Sequence, residues 1–297
     1  MNTKNSYKMG LASSVICGLM WGILPVYWDS LKPINSFIII FYRILLMSLT
    51  CFIACWHTYG IRNVFKPMFK SRKDMMIYVF SGCIIAVNWG IYVWSVNAGY
   101  VIQTSMGYFL EPLIVCLFGM IFYKERANRW KKIAMLFALS ALFVMIIGYH
   151  QIPLIAVGLG LTFAIYSAIK KSVQISPIQS LLCETIFLVP VTLAFIIYFE
   201  CTGQGALSIG NPGKYILLLF AGIATAVPMG FFSFAANRLP LITLGITGYI
   251  SPSIALILGI FLFKEPFDSI QFTAFVITWI GLAIFTYGEI KEQRETK

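Results

Sequence analysis

Apolar and polar positions along this chain are sorted into blocks. Long hydrophobic runs cover roughly 9–28, 36–56, 75–96, 101–123, 130–148, 152–169, 178–199, 214–236, 242–263 and 271–288, with short polar stretches between them. Each run is close to the roughly 20 residues that an α-helix needs to cross a bilayer. The pattern predicts an all-α polytopic membrane protein with ten transmembrane helices joined by tight loops. The first run follows Lys4 and Lys8, as a signal peptide would. However, it is long, holds Trp21, Pro25 and Trp28, and lacks a small-residue cleavage site, so it is read as the first helix.

Composition agrees. Of 297 residues, 59% are hydrophobic and 11% charged, against about 25% charged in a soluble domain. A water-soluble fold of this size would leave large apolar patches exposed. That excludes a typical soluble enzyme, a disordered chain and a secreted disulfide scaffold. The seven cysteines are odd in number, lack CxxC spacing and, Cys201 apart, lie in apolar runs. They read as small hydrophobes with no metal or disulfide role.

A net charge of +11 would point to nucleic acid in a soluble protein. Here its distribution gives another meaning. Eighteen Lys and Arg fall on the N-terminal side of the predicted membrane, three (Lys32, Lys214 and Lys264) on the other, and Arg43 inside a span. That bias places both termini in the cytoplasm of a multi-pass cell-membrane protein and removes the need for a nucleic-acid partner.

The sequence also repeats itself. A shift of 140 residues aligns 82–125 with 222–265 without a gap, with eleven identities that include Asn97/Asn237, Pro112/Pro252 and Lys124-Glu125/Lys264-Glu265. The first helix echoes the sixth near a shift of 142, through Gly18-Leu19 and Gly160-Leu161. The expected organisation is a first five-helix unit over 9–148, a second over 149–289 and a cytoplasmic tail over 290–297. Five is odd, so the second unit enters the membrane upside down. Inverted repeats are a transporter architecture, with substrate bound between the repeats near the midplane.

Several local patterns match a known family: Gly22 and Pro25, Tyr42-Arg43, Asn88-Trp89 with Trp94 and Asn97, Gly107-Tyr108-Phe109 before Glu111-Pro112, Lys124-Glu125-Arg126, Glu184-Thr185 with Pro190, and Gly248-Tyr249 with Pro252. With these the chain resembles the RarD-like branch of the EamA family, within the drug/metabolite transporter (DMT) superfamily. The resemblance covers nearly the whole chain. It implies two inverted EamA-type repeats and movement of a small metabolite or drug across the cytoplasmic membrane, with export the default direction. One position departs from the family: Glu111 stands where Asn is frequent before the proline of the fourth helix.

Charges inside spans are costly and usually face a bundle interior or a wet path. Arg43, Glu111 and Glu184 are the three clear cases. They are expected either to contact substrate and protons or to form a structural ion pair, Arg43 with Glu111 or Arg43 with Glu184. The repeat mate of Glu111 is Ser251, so symmetry does not require that charge. Pro112 and Pro252, with Gly107 and Gly248 nearby, are expected to form hinges in the fourth and ninth helices. Asn88, Trp89 and Tyr92 share a face of the third helix. With Trp21, Tyr108 and Tyr166 they would wall a cavity suited to an aromatic or amphipathic molecule. Small residues at four-residue spacing (Gly18 and Gly22; Ala156, Gly160 and Ala164) fit packing within a monomer as well as a homodimer.

No catalytic or nucleotide-binding motif is present. The sequence therefore reads as a secondary permease working by alternating access on a small molecule, with a proton as candidate coupling ion and lipid as solvent. No cofactor or metal is expected. The alternatives are an uncoupled facilitator or exchanger of amino-acid-like metabolites and, more remotely, a membrane enzyme acting on a lipid-linked substrate.

Overall fold

A computed structural model describes residues 3–264 and 268–295. Among these, ten helices are long and apolar enough to cross a membrane: α1 (Asn5–Ser30), α2 (Ser36–Tyr59), α3 (Arg72–Asn97), α4 (Gln103–Phe122), α5 (Arg129–Tyr149), α6 (Leu154–Ser172), α7 (Pro177–Cys201), α8 (Pro212–Ala236), α9 (Leu241–Phe263) and α10 (Ser269–Lys291). An even number of spans returns the chain to the face it started from, here called the terminal face; the other is the distal face.

The sharp polar boundaries in the sequence become helix caps. The first backbone N–H groups of a helix have no partner inside it and need one from outside. Asn35, Ser71, Asn128, Ser176 and Asn211 each accept from a backbone N–H at the start of α2, α3, α5, α7 and α8. Prolines act unequally. Pro25 and Pro112 sit inside continuous helix, whereas α7 tightens at Ile186–Leu188 just before Pro190. α9 is interrupted at Gly248-Tyr249, a turn ahead of Pro252. Of the two expected hinges, therefore, only the one in the second repeat opens its helix.

Helix packing carries the repeat symmetry. α1 packs on α8 and α9, and its counterpart α6 packs on α3 and α4. α2 packs on α8 as α7 packs on α3, while α4 with α9, α5 with α10 and α2 with α7 meet across the axis. Exchanging the halves thus maps each of these contacts onto another or, for the three across the axis, onto itself. Close approaches repeat too. A Cβ on Gly82 would lie 2.0 Å from the Glu184 carbonyl oxygen, and one on its mate Gly222 would lie 2.4 Å from that of Leu46. Lys124 and Lys264 end α4 and α9 in the same left-handed conformation, φ 51° and 52°. Glu265, the mate of Glu125, lies outside the described residues.

The small-residue stripes are consumed inside the chain. A Cβ on Gly22 would meet Ile254 of α9 at 2.5 Å, and one on Gly160 would meet Ile114 of α4 at 2.7 Å. These glycines let α1 and α6 cross the opposite repeat's proline helix closely, so the cavity lies between the repeats.

Candidate functional site

Where α1, α2, α3, α4, α6, α8 and α9 converge they leave a cavity of about 240 Å³. Arg43, Asn88, Glu111, Trp21, Trp89, Tyr92, Tyr108, Gly107, Pro112, Gly248 and Pro252 all line it. Residues from five different helices (α1, α2, α3, α4 and α9) thus converge, because each lies on the inward stripe of its own span. Pro25, Trp28, Arg43, Trp89 and Tyr92 also line a larger vestibule of about 660 Å³ that includes Asp29, Lys32 and Asn97. These loop and helix-end residues belong to the distal face, so the cavity communicates with that face.

Arg43 stands at the junction. Its guanidinium carbon is 3.9 Å from the centroid of the Trp89 ring and 5.2 Å from that of Trp28. Both expected ion pairs are absent: among the described residues Arg43 forms no salt bridge, and its Nε is buried without an acceptor. An unsatisfied buried donor costs about 1–3 kcal/mol, while flanking indole faces return part of that through cation–π attraction. Glu111 likewise has no ion-pair partner among the described residues. The cavity therefore presents one cation and one carboxyl that are not spent on each other.

The remaining polar groups are better anchored. Asn88 donates through Nδ2 to the Leu159 carbonyl and to Thr162 Oγ1, both at 2.9 Å, pinning α3 to α6. The Tyr92 and Tyr108 hydroxyls lie 3.0 Å apart. Tyr249 Oη donates to the Phe109 carbonyl at 2.7 Å, joining the interrupted turn of α9 to α4. Asn97 caps its own helix by donating to the Val93 carbonyl at 2.8 Å.

Glu184 and Tyr166 do not line the cavity. Glu184 is ion-paired with Lys170, with both side chains at most 1% exposed. Ser180 Oγ donates to Glu184 Oε1 at 2.8 Å, and Tyr166 Oη donates to Oε2 at 3.3 Å. Tyr166 is stacked on Phe232, which touches Trp21 and Phe163, so the cluster lies behind the aromatic floor of the cavity. Lys170 had counted among the orientation charges. It sits at the end of the sixth apolar run, where linear position cannot tell a loop lysine from one folded back into the core.

The terminal side of the cavity is closed by polar contacts. Ser14 and Thr247 hydroxyls meet at 2.6 Å, and Tyr7 reaches Thr243 at 3.5 Å and hydrogen-bonds Glu289, which pairs with Lys131 at 3.0 Å. Beside them Glu125, just past α4, accepts from the backbone N–H groups of Leu241 (2.8 Å) and Ile242 (3.0 Å) at the start of α9. A negative carboxylate suits a helix N-terminus. Lys171 at the end of α6 pairs with Glu125 at 3.2 Å and donates to the Leu239 carbonyl at 2.6 Å. Tyr123 donates to the Ala168 carbonyl at 2.6 Å; burial, with Glu125 nearby, pushes its phenol above the ordinary range, so it stays a donor. These clasps tie the repeats together beneath the cavity; at the distal side Tyr27 donates to the Leu217 carbonyl at 2.7 Å, Lys214 to the Ser30 carbonyl at 2.6 Å and Tyr42 to Glu200 at 2.8 Å, around the vestibule rather than across the cavity floor. The sequence reading missed Glu125, Lys171 and Glu289 as clasp residues; the repeated Lys-Glu pair was the only signal pointing there.

A ten-helix bundle of two repeats, with a central cavity open at one face and clasped at the other, defines a polytopic membrane protein of transporter type. The chain belongs to the EamA-like transporter family, whose pattern it matches twice, over residues 8–147 and 151–287. It is 30% identical to the uncharacterized transporter YojE of Bacillus subtilis, over 98% of this chain and 97% of that one. It is also 30% identical to the protein RarD of Streptomyces exfoliatus, with 100% and 94% covered. The protein RarD of Escherichia coli is 28% identical over 97% of each. A solved crystal structure superposes with a TM-score of 0.69 over 95% of this chain and 98% of its own, at 13% identity, and so shares the fold. The protein is a membrane transporter.

Proposed function

We propose that the protein is a secondary transporter that carries a small organic molecule through the central cavity by alternating access, with both termini in the cytoplasm and Glu111 as the proton-coupling group. The observation that carries this reading is the cavity's one-sided closure: it joins the distal vestibule, whereas Glu125, Lys171, Tyr7 and Glu289 clasp the repeats together at the terminal face. Because the packing is exchanged by the repeat symmetry, a mirrored rearrangement of the two halves would shut the mouth and release the clasps. The clasps suit that task. Each is a small set of contacts, about 1 kcal/mol for a neutral hydrogen bond and about 1.5–3 kcal/mol for one to a charged group, so that breaking them lies within reach of substrate binding energy.

The walls support a substrate with an apolar or aromatic body. Trp21, Trp89, Tyr92, Tyr108 and Phe163 supply most of the surface, and Arg43 and Glu111 the charge. Glu184, fully committed to Lys170, has a structural place in this reading.

The test uses purified protein in proteoliposomes. A metabolite-library thermal-shift screen supplies a ligand, and counterflow of that ligand is then measured with and without a proton gradient. The reading expects counterflow without a gradient and uphill movement with one, the second lost in Glu111→Gln. Uphill transport intact in Glu111→Gln refutes the proton role; absence of counterflow refutes alternating access at this cavity.

A further inference from the structure

We infer that the cavity recognises a monocarboxylate, held by the guanidinium of Arg43 between the indoles of Trp28 and Trp89, with a hydrogen-bond donor at the substrate's far end facing Glu111. This deepens the transport reading and rests on it.

Arg43 has two aromatic faces, and its buried Nε has no acceptor among the described residues. The rings at 3.9 and 5.2 Å hold the guanidinium by cation–π attraction, and no carboxylate among the described residues pairs with it. A planar fork of donors is completed best by a planar pair of oxygens, which is a carboxylate. The other charges near the mouth cannot serve: Asp29 and Lys32 neutralise each other at 2.6 Å. Those partners also leave Arg43 as the one unneutralised cation among the residues lining cavity and vestibule. A single cation matches a singly charged anion and would leave a phosphate dianion under-compensated. Direction follows from placement. Arg43 lines both spaces, but Glu111 lines only the inner one. The carboxylate therefore sits toward the mouth, and the end that meets Glu111 donates to it when that carboxyl is ionised.

The experiment reads binding alone, by thermal shift of detergent-purified protein with four carboxylates that carry a donor at the far end, and their primary amides: 4-hydroxybenzoate, 4-aminobenzoate, 4-hydroxyphenylacetate and 3-(4-hydroxyphenyl)propanoate. At least one carboxylate should bind on the order of ten-fold or more tightly than its amide, the factor expected for one charge-assisted contact. Arg43→Gln should erase that difference, and Arg43→Lys, which keeps the charge but not the fork, should retain part of it. Amides binding as well as their carboxylates, no carboxylate binding at all, or a preference that survives in Arg43→Gln would each overturn the inference. If Arg43→Gln does not fold, the wild-type pairs together with Arg43→Lys still decide. No transport step enters this readout, so its failure leaves the counterflow result for alternating access to stand or fall separately.

Discussion

Removing the Glu125 carboxylate should unseat the closed terminal face. The carboxylate accepts two α9 backbone N–H groups at 2.8 and 3.0 Å and pairs with Lys171 at 3.2 Å. Hydrogen bonds to a charged group contribute about 1.5–3 kcal/mol each. The ion pair, with side chains 21% and 12% exposed, adds up to about 1 kcal/mol once solvent screening is counted. In an open state water would satisfy the same N–H groups, so most of this energy is lost from the closed form only. Allowing for groups that water recovers in either state, Glu125→Ala should favour opening by about 2–4 kcal/mol, or roughly thirty- to several-hundred-fold in population. The assay is labelling of Thr243→Cys, a fully buried position beneath the clasp, in a background with the native cysteines replaced. With Glu125 present, a membrane-impermeant maleimide should react slowly from either face. With Glu125→Ala it should react from the terminal face alone. Unchanged labelling would show that Glu125 does not hold the gate, and equal labelling from both faces would mean the variant had unfolded.

Glu184→Gln leaves Lys170 buried opposite a neutral amide and should destabilise the protein by about 3–5 kcal/mol, read as a lowered Tm, while ligand affinity per folded molecule is kept; a selective loss of affinity would return Glu184 to the cavity. Gly82→Ala and Gly222→Ala should each cost about 1–3 kcal/mol or more, since their Cβ atoms would fall 2.0 and 2.4 Å from backbone oxygens. The repeat-related Gly90→Ala and Gly230→Ala, with nothing within 4 Å, should be neutral or stabilising by up to about 1 kcal/mol, and thermal melts of all four variants check the packing. Tyr123→Phe should loosen the terminal face by only about 1 kcal/mol, the worth of one neutral hydrogen bond, so Thr243→Cys labelling should rise less than in Glu125→Ala.

Much of the architecture was legible because a bilayer imposes one rule on every span: about 20 apolar residues with all backbone groups paired internally. Ten apolar blocks therefore became ten helices, and matched landmarks such as Pro112/Pro252 and Lys124/Lys264 marked the duplication. The candidate cavity residues were legible for a related reason. A charge or amide inside a span needs an interior face, and Arg43, Asn88 and Glu111 all found one.

Partners were not legible. Arg43 has the same depth and chemistry whether it pairs with Glu111, pairs with Glu184 or stacks on indoles, and only the packing of α2 on α7 and α8 and the placement of Trp28 and Trp89 selected the last. Glu184 looked like a second cavity charge until α6 and α7 brought Lys170 to it from 14 residues away. The two prolines were equivalent in sequence, yet α4 runs on through Pro112 while α9 opens at Gly248-Tyr249. The sequence by itself determined the number, length and inverted duplication of the spans, because burial in lipid is a one-body property of each segment. Which face is open, which carboxylates are spent on lysines and which charges remain for a ligand are many-body properties. Those were decided only when the helices packed.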